Sequence, residues 1–215
     1  MTQYTLHEIG GIEFDETELR DLAAAWVALG VAFTFFLAYV FIPGWNLFEW
    51  NQHLGALLEL FVLSSLAVGT GFLLHELAHK VVAIRFGQVA AFRADYGMLG
   101  LAVASGLAGF IFAAPGAVYH RGRITERENG LVAVAGPITN LVLALAFLPL
   151  VFLPGFLGAL GWIGVVINAL LAAFNMIPFG PLDGRTVLDW HTGVFVLVFG
   201  VSLAFGAIVA VLFVF

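Results

Sequence analysis

The stretch LLELFVLSSLAVGTGFLLHELAHK, residues 57–80, decides the fold of this chain. A helix needs about 20 mostly apolar residues to cross about 30 Å of hydrocarbon, and residues 57–78 meet this length. The stretch therefore predicts a membrane-spanning helix. Its last turns carry His75, Glu76 and His79. Because ionisable side chains are costly at membrane depth, their position indicates a functional site.

The composition of the whole chain agrees with a membrane protein. Of its 215 residues, 62% are hydrophobic and 10% are charged, and the mean hydropathy is +1.05. A soluble domain carries about a quarter charged residues. Four more segments are long and apolar enough to span a membrane: residues 22–42, 131–148, 157–177 and 194–215. We therefore expect an all-α polytopic membrane protein with five to six transmembrane helices.

A sixth apolar stretch, residues 98–114, is short, rich in glycine and followed by Pro115. If it does not cross, all eight Lys and Arg residues lie on one side of the membrane, which matches the excess of basic residues in cytoplasmic loops. We therefore predict a membrane-associated insertion that does not cross. Residues 89–96 and 116–120 on either side of it predict short β-strands near the site.

The predicted domain organisation is simple. A polar N-terminal segment, residues 1–21, precedes a single transmembrane domain, residues 22–215, whose catalytic core covers residues 57–185. The chain has no cysteine, so any metal must be held by His and carboxylate side chains. A net charge of -6 without a basic cluster gives no sign of nucleic-acid binding.

His75 and His79 lie four positions apart, so both side chains project from one face of a helix and can reach the same metal ion. With Glu76 they form the pattern H-E-x-x-H, in which the glutamate acts as general base on water at a zinc ion. The alternative is a pair of helix-end histidines near the membrane interface. Since a charged glutamate in hydrocarbon costs about 2.5 kcal/mol or more, the metal site is favoured.

A catalytic zinc ion usually has three protein ligands, so a third must come from elsewhere in the chain. Asp183 follows the span at 157–177, where Pro178 and Pro181 break the helix and allow the chain to turn inward. A solvated aspartate at a helix exit is the alternative, and His191 is another candidate ligand. The non-crossing insertion puts His79 and Asp183 on the same side of the membrane, which favours Asp183.

Two asparagines of the predicted spans are of interest, Asn140 and Asn175. Either amide could hold a substrate backbone or stabilise an oxyanion, and either could instead hydrogen-bond to a neighbouring helix. For Asn140 helix packing is favoured. Gly136, nearby, permits close approach of another helix.

Together these residues resemble the site-2 protease family of intramembrane zinc metalloproteases. The resemblance rests on His75 through His79, on the element Ala-Gly-Pro at 135–137, and on Asn175 through Gly184. It implies that His75, His79 and Asp183 bind one zinc ion, that Glu76 is the catalytic base, and that Asn175 contacts substrate or an oxyanion. It also implies a site just inside the cytoplasmic face of a prokaryotic cell membrane. Family members often continue Asp-Gly-Gly, whereas here Arg185 follows Gly184.

The expected function is hydrolysis of peptide bonds within or near transmembrane segments of membrane-protein substrates. The expected partners are therefore a transmembrane protein or peptide and the lipid bilayer. Two rival hypotheses are a metal-binding or transport protein and a catalytically inactive scaffold. A transport path needs ligands along successive helix turns, whereas the candidate ligands here cluster at one depth.

Overall fold

The computed structural model describes residues 6–112 and 114–214. Within them the chain forms seven α-helices and four short strands, which confirms the all-α polytopic class. The helices are α1 (Glu16–Phe41), α2 (Leu54–Arg85), α3 (Tyr96–Leu107), α4 (Glu126–Phe147), α5 (Gly155–Asn175), α6 (Asp183–Trp190) and α7 (Thr192–Val214). The strands are β1 (Leu6–Ile9), β2 (Ile12–Asp15), β3 (Val89–Ala94) and β4 (Gly116–Arg121).

Four helical segments of the described residues are long and apolar enough to cross a membrane: Glu16–Phe41, Leu47–Arg85, Glu126–Phe152 and Gly155–Asn175. They overlap four of the five predicted spans. Each segment begins before its predicted span, because backbone hydrogen bonding includes residues that a count of apolar residues leaves out. The first and the last of the four end one and two residues before the predicted ends, at Phe41 and Asn175. The fifth predicted span coincides with α7, except for Phe215, which lies outside the described residues. Its crossing stays a prediction.

The chain folds as two compact units. Unit one comprises residues 1–70 and 92–117, and unit two comprises residues 71–91 and 118–215. In unit one, α3 packs against α1, where Gly106 lies so close that a Cβ atom there would be 2.2 Å from Ala32 O. Among the described residues of the insertion at 98–114, the only helix is the 12-residue α3, which begins two residues earlier at Tyr96; Ala113 lies outside the described residues. A helix of that length is about 18 Å long, too short to cross the hydrocarbon, which favours a non-crossing insertion.

The N-terminal segment has more structure than a polar lead-in. β1 and β2 pair as an antiparallel hairpin, in which His7 lies opposite Phe14. Gly10 and Gly11 form the turn with φ of 60° and 80°, values that favour glycine and suit a two-residue hairpin loop. Asp15 then caps α1, which begins at Glu16, within the segment predicted to precede the first helix. The Gly-Gly pair between alternating residues was a signal that could have identified this hairpin. Residues 1–5 lie outside the described part of the chain.

β3 and β4 form the second sheet, which confirms both predicted strands. In unit one, two buried carboxylates of α1 bind the backbone of β3. Glu18 accepts from Phe92 N at 3.1 Å, and Asp21 accepts from Ala94 N at 3.2 Å. The acidic residues of the first helix are therefore structural partners of the strand. A buried carboxylate needs such donors, because an unpaired charge away from water is strongly unfavourable.

Unit two is built from the second half of α2 together with α4, α5, α6 and α7. α4 begins with a capping box in which Thr125 and Glu128 bond each other's backbone amides. One buried apolar cluster joins α4, α6 and α7 with Met176, which follows α5; its members are Ala133, Val134, Met176, Val187, Phe195 and Val198. This packing holds α6 against α4 and thereby determines where the chain places Asp183.

Candidate metal centre

The two histidines of the H-E-x-x-H pattern lie on α2 and face each other closely. The Nε2 atoms of His75 and His79 are 3.0 Å apart, and both side chains are buried. Their rings are nearly perpendicular, with an interplanar angle of 82°. Helical spacing places the two rings side by side on one face of α2.

Asp183, the first residue of α6, meets the two histidines. Its Oδ2 atom lies 3.3 Å from the Nε2 atom of His75 and 3.3 Å from that of His79. The chain reaches this point because Gly184 packs directly on the backbone of Met176; a Cβ atom at position 184 would lie 2.1 Å from Met176 O. The three predicted ligands therefore meet, with their ligand atoms all within 4.8 Å of one another.

The ring nitrogens on the far side of each histidine are already used. His79 Nδ1 lies 2.7 Å from Val132 O, and since a carbonyl only accepts, this nitrogen donates. His75 Nδ1 lies 2.6 Å from Asn140 Oδ1. Because the Asn140 amide nitrogen donates to Gly71 O at 3.1 Å, its oxygen must face the histidine, and His75 Nδ1 donates as well. A neutral imidazole that donates from Nδ1 presents a lone pair on Nε2.

This arrangement fits a cation. Two lone pairs and a carboxylate oxygen converge, and Asp183 Oδ2 is buried without a hydrogen-bond partner. Two His nitrogens and one carboxylate oxygen form a usual ligand set for catalytic zinc.

Gly136 of α4 closes one side of the site. A Cβ atom at this position would lie 2.5 Å from the Nε2 atoms of both His75 and His79. Only a residue without a side chain lets the helix approach the ligand atoms this closely. Sequence reasoning gave Gly136 a role in helix packing, and the structure shows that the packed neighbours are the two candidate ligands.

Glu76 is buried beside His75 and interacts electrostatically with His75, His79 and Asp183. Its predicted role of general base stays a prediction.

The structure gives the two predicted asparagines different surroundings. Asn140 is fully buried and contacts a candidate ligand directly, as described above. Asn175 is half-buried at the end of α5, and its amide donates to Leu171 O of its own helix rather than to a neighbouring helix. Among the described contacts none joins Asn175 to the ligands, so its predicted contact with substrate stays a prediction.

His191, the alternative third ligand, has a different role. Its Nδ1 atom accepts from Gly193 N at 3.1 Å and from Val194 N at 3.3 Å, which caps the start of α7. Arg185, where the chain departs from Asp-Gly-Gly, is exposed and pairs with Asp189 one turn later on α6. The departure therefore leaves the close contact at Gly184 intact.

Sequence reasoning missed Asn168. This residue of α5 is fully buried, and its Oδ1 atom accepts from the Asn140 amide at 2.9 Å. A lone asparagine in the middle of an apolar span was the available signal, since polar side chains inside membrane helices are rare and need partners.

Fold and site together define a polytopic membrane protein with a buried candidate metal centre of two histidines and one aspartate. No protein-family model matches the chain, and no solved structure matches it. A Methanocaldococcus jannaschii protein named "Putative zinc metalloprotease MJ0611" is 38% identical over 192 residues, which cover 86% of this chain and 90% of that protein. A Bacillus subtilis protein named "Putative zinc metalloprotease YwhC" is 33% identical over 143 residues, covering 55% and 64% respectively. The chain belongs to this family of zinc metalloproteases.

Proposed function

We propose that this chain is an intramembrane zinc metalloprotease of the site-2 type, which hydrolyses peptide bonds within or near the transmembrane segments of membrane-protein substrates. One observation carries the proposal: His75, His79 and Asp183 converge around one point beside Glu76, on a helix long and apolar enough to cross a membrane. The ligand set accommodates one zinc ion per chain.

The depth of the site supports catalysis inside the membrane. His79 lies six residues before the end of α2, which places it about 9 Å inside the helix end. His75 and Glu76 lie about one turn deeper. The Lys and Arg residues concentrate in the chain segments next to the candidate ligands. Because cytoplasmic loops carry an excess of basic residues, this bias supports a site near the cytoplasmic face.

Each residue has a defined part in the proposed reaction. Zinc, when bound, would polarise the scissile carbonyl and make water more acidic. Glu76 takes a proton from the attacking water and passes it to the leaving amine. The Asn175 amide donates to the substrate backbone or to the oxyanion that forms on the scissile carbonyl, where such donors contribute about 3 kcal/mol. Asn175 lies seven residues after Asn168 on α5, and seven residues bring it back to nearly the same face of the helix.

A transmembrane substrate must unwind locally, because its carbonyl groups are otherwise bonded within the helix. We propose that β4 receives the extended peptide by edge pairing. In unit one, the carboxylates of Glu18 and Asp21 occupy amides of β3, so β4 is the strand of this two-stranded sheet that we assign to the peptide. In unit two, Val118 of β4 packs against the buried cluster of Ala83, Ala90 and Val132, and the Val132 carbonyl oxygen accepts from His79. Proline substitutions one at a time over residues 117–120 should weaken cleavage; intact cleavage in all of them removes this step.

The function is tested with purified protein in detergent and a fluorescent peptide that contains one transmembrane helix. Wild type should cleave the peptide, and Glu76→Gln should lose cleavage while keeping zinc. Glu59→Gln, the same change on the first turns of α2 at an exposed position, is the matched control and should cleave normally. Full cleavage by Glu76→Gln contradicts the proposed mechanism. Zinc without any cleavage would favour a metal-binding protein, and absence of zinc would favour a scaffold.

A further inference from the structure

We infer that Asn168 is a positioning residue of the metal centre: through Asn140 it holds His75 in the form that presents Nε2 to the metal. The inference rests on the proposed function, because it requires zinc at His75, His79 and Asp183. Asn168 touches none of these three ligands in the described contacts. Asn168 lies on α5, and two hydrogen bonds through Asn140 connect it to the His75 ring on α2.

The polar chain runs from α5 to α2 through buried groups. Asn168 Nδ2 donates to Gly164 O at 2.9 Å, which fixes the orientation of its amide. Its Oδ1 atom therefore faces Asn140 and accepts at 2.9 Å. Asn140 in turn presents Oδ1 to His75 Nδ1 at 2.6 Å. Every amide orientation along this chain follows from the one before it.

The Asn140 amide nitrogen has two acceptors, Gly71 O and Asn168 Oδ1. If the amide flipped, its oxygen would face both acceptors, and its nitrogen would face His75. His75 Nδ1 would then have to accept, and the proton would move to Nε2, where it blocks metal binding. Two acceptors oppose the flip in the wild type, whereas only one would remain without Asn168.

The burial of this network makes the orientation effect large. Asn140 and Asn168 both have 0% of their surface exposed, so water cannot replace a lost partner. Gly71 is part of the same arrangement, because a Cβ atom there would lie 2.7 Å from Asn168 Oδ1. Close approach of the helices at Gly71 thus places the amide of Asn168 within reach of Asn140. Partners behind a metal ligand typically change metal affinity by about 10- to 100-fold when removed.

Zinc affinity is measured on purified protein by competition with a chelator, without substrate. Asn168→Leu, which keeps the approximate size, should bind zinc about 10-fold more weakly. Asn140→Leu should lose at least as much, and the double variant should be no weaker than Asn140→Leu, because Asn168 acts through Asn140. Thr139→Val is the control. Its hydroxyl bonds back to Ala135 O of the same helix, and its zinc affinity should equal that of the wild type.

Two further measurements separate positioning from a general structural role. Asn168→Asp should restore affinity, because a protonated aspartate in apolar surroundings offers the same acceptor to Asn140 and the same donor to Gly164 O. In ¹⁵N-histidine spectra of the zinc-loaded wild type, His75, assigned by its absence in His75→Ala, should carry its proton on Nδ1. If Asn168→Leu does not fold, Asn168→Ser replaces it, since the shorter hydroxyl cannot reach Asn140.

Three results would overturn the inference: unchanged zinc affinity in Asn168→Leu or Asn168→Ser, losses that multiply in the double variant, or coordination of His75 through Nδ1 in the wild type. These outcomes are independent of proteolysis. If Glu76→Gln still cleaved the peptide while the zinc results held, the protease mechanism alone would fail.

Discussion

Substitution of Gly136 by alanine tests the geometry of the metal centre most directly. The added Cβ atom would lie 2.5 Å from the Nε2 atoms of both His75 and His79, whereas ordinary van der Waals contact begins at 3.4 Å. The two rings must therefore retreat by about 1 Å, although zinc requires nitrogen ligands within about 0.2 Å of their ideal distance. We expect Gly136→Ala to lose most of its bound zinc.

The expected size of the effect follows from this displacement. A misplacement of about 1 Å in a catalytic site costs about 100-fold in rate, or about 2.7 kcal/mol of transition-state stabilisation. Folding should suffer less. Overpacking costs about 1–3 kcal/mol, and alanine in place of glycine inside a helix returns about 0.5–1 kcal/mol. The variant should thus remain folded while zinc content and peptide cleavage fall together.

The assay compares zinc per chain, peptide cleavage and the midpoint of thermal unfolding in Gly136→Ala and in Gly200→Ala. Gly200 lies in α7 with open space around its Cβ position, so alanine there tests the same chemical change without a clash. It should match the wild type in all three measurements. If Gly136→Ala binds zinc with unchanged affinity, the two Nε2 atoms do not face the metal beside α4, and the reasoning is refuted.

Three further predictions address the ligands, the turn before α6 and the hairpin. Asp183→Ala should lose zinc. It should also lose the stabilisation that added zinc gives to the folded state, which is about 2.7 kcal/mol at a zinc concentration 100 times the dissociation constant. His191→Ala should keep both the zinc and this stabilisation. Gly184→Ala should lower the unfolding midpoint and the zinc content together, because the added Cβ atom would lie 2.1 Å from a backbone oxygen. Burial acts to raise the pKa of Asp15, but Arg93 and the backbone amides of Glu18 and Thr17 outweigh it, so this pKa lies below its ordinary value in the folded chain. The resulting stabilisation is present above about pH 4 and is lost as the pH falls through the folded pKa.

The controls for these predictions differ. Zinc retained at full occupancy in Asp183→Ala would contradict the three-ligand site. A Gly184→Ala protein with normal stability would contradict the close contact with Met176. Asp15→Asn keeps the cap of α1 but not the charge, so acid unfolding followed by circular dichroism should show a smaller pH dependence in this variant. An unchanged pH dependence would exclude the ion pair with Arg93 as its source.

Length, composition and spacing were sufficient to determine the class of this protein and part of its site. Membrane spans are predictable because each must satisfy its backbone within itself and face hydrocarbon, so a run of apolar residues is a local signal. The relative positions of His75, Glu76 and His79 are predictable because they too are a local property: all three lie on one helix, and the geometry of a helix is known without the rest of the fold.

Other features needed the tertiary structure. Asp183 was one of two candidate third ligands from the residues alone, and it meets the histidines because Gly184 packs on Met176 while α6 packs on α4. The roles of Gly136 and Asn168 depend entirely on contacts between helices that lie far apart in the chain. A glycine or an asparagine in a span looks the same in sequence whether it faces lipid, another helix or a metal ligand. Only the packing of unit two distinguishes these environments, because the free energy of each contact depends on the partner atoms that the fold places beside it.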